Sequence, residues 1–192
     1  CDMDALTHAI EAYVAKPANV FSDAQAIGAW IAGYEALATC ANDPDDLKAR
    51  GDMLAASCLG GIAFTNGALG ICHGVAHTFG ATYNVPHGLA NGIVLPYSIA
   101  FNAARDSSSA ERYEKLASYV GESDLAQVII GLKEELGVPV AMREVVPDEE
   151  EFEAHLDELA HKVLSDVCTP ANPVEVSEED ARELLRAVYY GA

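Results

Sequence analysis

The chain has 192 residues, enough for one well-filled core, and its 51% apolar content argues against a disordered chain. Eleven basic residues against 30 acidic ones leave a net charge of −19, which repels nucleic acid and anionic lipid and discounts both as partners. The five cysteines are odd in number and form no CxxC pair, so a reducing, cytoplasmic setting is expected rather than a disulfide framework. No secretory signal and no apolar run of membrane-spanning length is read in the sequence.

Taken in order, the elements read as helix after helix. Asp2 caps a helix to about Val14, ended by Lys16-Pro17. Ser22 with Gln25 predicts a capping box for a helix reaching Cys40. Asp43 then caps the next, with Pro44 at its first position and an end before Gly67. Within it, Gly60-Gly61 reads as room for close helix packing, not as a phosphate loop. Gly70 to Ala81 predicts a shorter helix, and Thr82 to Gly88 a turn around Pro86. Leu89 to Asn102 predicts a helix kinked near Pro96. Ser109 to Val120 and Asp124 to Leu136 follow, the second stopped by Gly137 and Pro139. Only Val138 to Val146 could be extended. Asp148 to Asp166 is amphipathic, Cys168 to Pro173 is a proline-rich loop, and Ser177 with Asp180 opens a last helix to Tyr190. The expectation is a single all-α domain over residues 1–192, with seven to nine helices.

Asp4 and His8 lie four apart in MDALTHAIEAY, on one face of the first helix. His73, His77 and His87 fall in HGVAHTFGATYNVPHG. One carboxylate and several imidazoles suit a divalent transition metal such as iron or zinc, which would relieve the cost of burying them unsatisfied. Cys72 should face the core when His73 faces the metal, since neighbours on a helix point about 100° apart. HGVAH has the spacing of the HExxH peptidase helix, but Gly74 stands where the catalytic Glu belongs, which argues against a peptidase. His155 and His161 lie on a charged helix without a partner motif and read as ordinary surface or packed groups.

DALTHAIEAY, GICHGVAHTFGATYNVPHGLANGIVLPYSIAFN and DVCTPANP together resemble the C-terminal half of the iron-containing alcohol dehydrogenase family, from about residue 3 to 190. The resemblance implies a two-domain enzyme in which an N-terminal α/β domain, outside this chain, binds NAD or NADP and the helical domain holds Fe2+ or Zn2+. Residue by residue it implies Asp4, His8, His73 and His87 as metal ligands and His77 as the further active-site histidine, near nicotinamide and substrate. The implied reaction is hydride transfer between a primary alcohol or aldehyde and NAD(P). Asp2 stands where the family usually has Gly, a minor departure. Cys1, so close to a proposed ligand, is read as a cut in a longer chain, and the isolated chain is expected to be inactive. Its partners would be its own N-terminal domain and a small alcohol or aldehyde, with oligomerisation possible in the intact enzyme. Without that domain, an apolar wall around His73, His77 and Phe79 should face solvent. The alternatives are a glycerol dehydrogenase or dehydroquinate synthase relative, which use fewer histidines at the metal, and a non-enzymatic or inert metal-binding helical module.

Overall fold

Six of the described α-helices begin just after a short polar side chain that takes up their first free N–H groups. The computed structural model describes residues 2–191, and among them it contains nine α-helices, two 3-10 turns and no strand. The helices are α1 (Asp2–Val14), α2 (Val20–Asn42), α3 (Leu47–Gly67), α4 (Ile71–Tyr83), α5 (His87–Arg105), α6 (Ser107–Ser118), α7 (Leu125–Leu136), α8 (Glu149–Ser165) and α9 (Glu178–Tyr190). The 3-10 turns span Met142–Glu144 and Thr169–Ala171. The all-α expectation is met at the upper end of its helix count. No single described helix is long and apolar enough to cross a membrane.

The start of α9 is as read: Ser177 and Asp180 form a reciprocal capping box. Other starts differ: Asp2 is the first residue of α1 rather than its cap, and α6 begins at Ser107 after Asp106, two residues before Ser109. Asn19, not Ser22, caps α2, accepting from Phe21 N and Ser22 N, and Ser22 is its reciprocal partner three residues on. Asp46, not Asp43, caps α3, accepting from Lys48 N and Ala49 N at 2.9 Å each. The reason is competition within DPDD. Asp43 ends α2 as its C-cap and its carboxylate accepts from Asp45 N at 3.2 Å within the turn, so the later Asp is left to open α3.

The predicted turn over Thr82–Gly88 shrinks to residues 84–86. Asn84 closes α4 in the left-handed region (φ 57°), and α5 starts at His87 itself. Helix α5 runs without interruption through Pro96, whose ring nitrogen cannot donate to the carbonyl four residues back. Lys133 Nζ, reaching over from α7, donates to the adjacent Ile93 O at 3.3 Å and to Val140 O at 3.4 Å. The segment expected to be extended, Val138–Val146, has no strand partner. It folds instead into the first 3-10 turn, with Ala141 N donating to Glu144 Oε1.

Helices α1, α2 and α3 pack on one another, and α1 also meets α5. Gly60 of α3 permits this approach, because a Cβ there would sit 3.2 Å from Ala5 O and 3.3 Å from His8 Cβ. Gly61 does not fulfil the packing role read for it, since a Cβ there would meet open space. Beyond Gly67 the chain bends by 107° into α4, which packs against α5 and α8. The core runs through Leu6, Ile10, Trp30, Ile93, Phe152 and Tyr189, all fully buried. Each such side chain contributes roughly 1.5–3 kcal/mol of burial. Phe79 belongs to this core, contrary to the expectation of a solvent-facing wall. Its ring is fully buried, 6.3 Å from Phe152 and nearly parallel to it. Helix α8 covers it from within this same domain.

Candidate metal centre

Helix α4 begins without a cap of its own. Gly70 precedes it and offers no side chain. A Cβ there would crowd Asn172 Oδ1 and Glu11 Oε1, at 2.8 and 3.0 Å. Those two oxygens are the cap: Ile71 N donates to Asn172 Oδ1 and Cys72 N to Glu11 Oε1. A carboxylate from α1 thus sits at the positive end of α4. It also fixes the register between the two helices that carry most of the candidate ligands.

On that register Asp4 Oδ1 lies 3.7 Å from His8 Nε2, 3.5 Å from His73 Nε2 and 3.3 Å from His87 Nε2. The four donor atoms are all within 4.8 Å of one another. The sequence reading of Asp4, His8, His73 and His87 as one group is therefore met in space. Cys72 turns inward and is fully buried, as expected from its place beside His73. Starting α5 at His87 keeps that ring at the mouth of the group, about half exposed, while His73 forms its floor.

The electrostatics suit a cation. Burial pushes Asp4 up, but the His73 hydrogen bond and the charges of His8, His87 and His73 outweigh it and bring Asp4 down to about 2. Its carboxylate stays ionised at neutral pH. Burial lowers His8 to about 4 and also lowers His87, so both rings are neutral and keep a lone pair. Burial would lower His73 as well, yet the Glu11 and Asp4 carboxylates raise it to about 9. Its Nδ1 is 2.5 Å from Glu11 Oε2, which leaves Nε2 facing Asp4.

Protein groups alone satisfy this cluster poorly. Asn91 Nδ2 is 2.7 Å from Asp4 Oδ1, 3.1 Å from His87 Nε2 and 3.3 Å from His73 Nε2. Its two N–H groups suit Asp4 and His87, but toward His73 Nε2, which is protonated when no metal is bound, they stand donor against donor. His8 Nε2 at 3.7 Å from the carboxylate is too far for a hydrogen bond. For donors about 2.1 Å from a shared ion, tetrahedral edges are about 3.4 Å long, close to the 3.3–3.7 Å found around Asp4. The residues present therefore fit a divalent cation.

His77 stands beside this group rather than in it. Its ring centre is 5.2 Å from that of His87 and 5.5 Å from that of His73. Its Nδ1 is 2.9 Å from Asp166 Oδ2. Gly74, which stands in the peptidase Glu position, is tight against Thr169 Oγ1, so no side chain fits there. His161 is exposed, and His155 is partly buried with no partner for its Nδ1 among the described residues. Three supporting residues escaped the sequence reading: Glu11, Asn91 and Asp166. Glu11 and Asn91 did leave a signal, because each continues a ligand's helical face, seven residues beyond Asp4 and four beyond His87. Asp166 opens the quoted DVCTPANP segment, but nothing in its spacing ties it to His77, 89 residues away.

An all-α domain with one carboxylate and three imidazoles gathered from three helices defines a class, that of helical domains suited to a divalent cation. The chain belongs to the Fe-containing alcohol dehydrogenase family, as its C-terminal part; the family model matches residues 1–189. It is 39% identical over 198 residues to an NADPH-dependent butanol dehydrogenase of Clostridium saccharobutylicum, covering 98% of this chain and 50% of that protein. It is 35% identical over 195 residues to an NAD-dependent methanol dehydrogenase of Bacillus methanolicus, covering 96% of this chain and 49% of that protein. Among solved structures, the iron-containing alcohol dehydrogenase of Thermococcus thioreducens superposes with a TM-score of 0.92 at 39% identity, over 100% of this chain and 50% of that one. The chain spans about half the length of the curated relatives it matches.

Proposed function

We propose that this chain is the metal-holding half of a two-domain alcohol dehydrogenase, which moves hydride between a primary alcohol or aldehyde and NAD or NADP. The observation that carries it is Asp4 Oδ1, within 3.3–3.7 Å of three imidazole nitrogens. Asp4, His8, His73 and His87 would hold Fe2+ or Zn2+, with the nucleotide bound mainly by an N-terminal domain. The cation, when bound, supplies Lewis-acid charge that favours the alkoxide form of an alcohol or polarises an aldehyde carbonyl. The cytoplasmic setting read from the cysteines belongs to the same proposal.

The chain's own residues supply position and protons. Glu11 accepts the His73 Nδ1 proton and so aims Nε2 at the site. Asn91 steadies the Asp4 carboxylate. His77, partly exposed beside His87, is suited to carry the alcohol proton toward solvent. In the two-domain protein, His87→Ala should lower bound iron or zinc and abolish alcohol-dependent reduction of NAD(P). Wild-type metal content and turnover in that variant would overturn the assignment.

A further inference from the structure

A second group of donor atoms among the described residues is His77, Asp166 and Cys168. Asp166 closes α8 and is mostly buried, and its two oxygens have different tasks. Oδ1 accepts the Cys168 backbone N–H at 2.8 Å, which pins the carboxylate to the loop. Oδ2 faces His77 Nδ1 at 2.9 Å. The ring of His77 is 37% exposed, and its Nε2 has no protein partner among the described residues.

We propose that Asp166 is a positioning residue: it holds His77 in the tautomer that carries its proton on Nδ1, leaving Nε2 as a bare acceptor toward the substrate side. This rests on the dehydrogenase reading above. The neutral imidazole of a free histidine offers either nitrogen as the donor, and a carboxylate on one side decides which. Because Asp166 is itself held by a backbone N–H, the direction of the hydrogen bond is built into the loop. His77 then accepts the alcohol proton at Nε2 and becomes imidazolium, still donating from Nδ1 to Asp166. Alcohol oxidation releases this proton, which His77 passes on to solvent while the hydride goes to NAD(P)+; in the reverse direction His77 takes a proton from solvent and gives it to the carbonyl-derived oxygen. The three donors do not make a second metal centre. The shortest contact among them is already a hydrogen bond. Burial together with the Asp166 charge pushes the Cys168 thiol up to about 12, so it remains a neutral S–H.

The test is Asp166→Asn in the two-domain protein. The Asn carbonyl keeps the Cys168 N–H, which turns its NH2 group toward His77 Nδ1 and forces the proton to Nε2. The same logic costs a serine protease about 10⁴ in kcat when its orienting Asp becomes Asn. Here kcat for alcohol oxidation should fall about 10²-fold or more. KM for the nucleotide and bound iron or zinc should stay at wild-type values. Nitrogen NMR of the 15N-histidine-labelled protein should show the His77 proton moving from Nδ1 to Nε2, and Asp166→Glu should restore both tautomer and part of kcat. A wild-type kcat, an unchanged His77 tautomer, or loss of a second metal equivalent in Asp166→Asn would each overturn the proposal. If the wild-type protein itself oxidises no alcohol, the dehydrogenase reading fails, and the tautomer measurement still decides what Asp166 does to His77.

Discussion

Glu11 holds His73 from behind, Oε2 to Nδ1 at 2.5 Å, while its other oxygen caps the helix from which His73 projects. One buried carboxylate thus sets both the direction of a candidate ligand and the position of the helix carrying it. Glu11→Gln should keep the fold but weaken both functions. Loss of charge at the cap and at the imidazole should lower stability by about 1–3 kcal/mol and weaken metal binding about 10–100-fold. Chemical denaturation and competition with a metal chelator read these separately, and unchanged metal affinity would remove Glu11 from the support of the site.

Gly74 allows α4 to lie against the second 3-10 turn. Gly74→Ala drives a methyl into Thr169 Oγ1, whose own hydrogen bond to Val163 O at 2.6 Å limits its retreat. A loss of about 1–3 kcal/mol in denaturant unfolding is expected. A neutral result would mean that the turn carrying Thr169 moves freely.

Asn172 joins three parts of the chain. It accepts from Ile71 N and exchanges side-chain contacts with Asn102. Asn172→Ala leaves those buried groups unpaired, at a cost of about 1–3 kcal/mol. The amide of Ile71 should then exchange with deuterium much faster, whereas amides in the middle of α2 should change little. Equal acceleration everywhere would indicate global rather than local loosening.

Lys133 gives a pH signature away from the candidate metal centre. Burial lowers it from its ordinary 10.5 to about 8, with Glu144 only partly offsetting the effect. Between those two values the unfolded chain binds more protons than the folded one, so this group makes stability rise with pH across that window. The penalty of the buried ammonium is fully present below pH 8. Lys133→Met should therefore gain most over wild type below pH 8, and the gain should shrink toward pH 10.5. Parallel stability curves for the two proteins would sink this account.

What was legible in the sequence follows from how far apart interacting groups lie along it. The box at Ser177 and Asp180 was readable because both members are three residues apart. The ligand pairs were readable because helical spacing puts Asp4 beside His8. The start of α4 was read to within a residue, from Gly70, but its caps were not, since they come from 61 and 101 residues away. Asp43 and Asp46 show a subtler failure: composition marked a helix start, but only the end of α2 could decide which Asp was free. Phe79 was misjudged because its cover, α8, follows 70 residues later in the sequence.

The tie from Asn172 to Ile71 also bears on synthesis. All four candidate ligands lie within the first 87 residues, yet α4 receives one of its two external caps only after nearly the whole domain has left the ribosome. A nascent chain stalled before that loop would carry every ligand on an incompletely anchored helix, so firm loading with metal should be among the last events in its maturation.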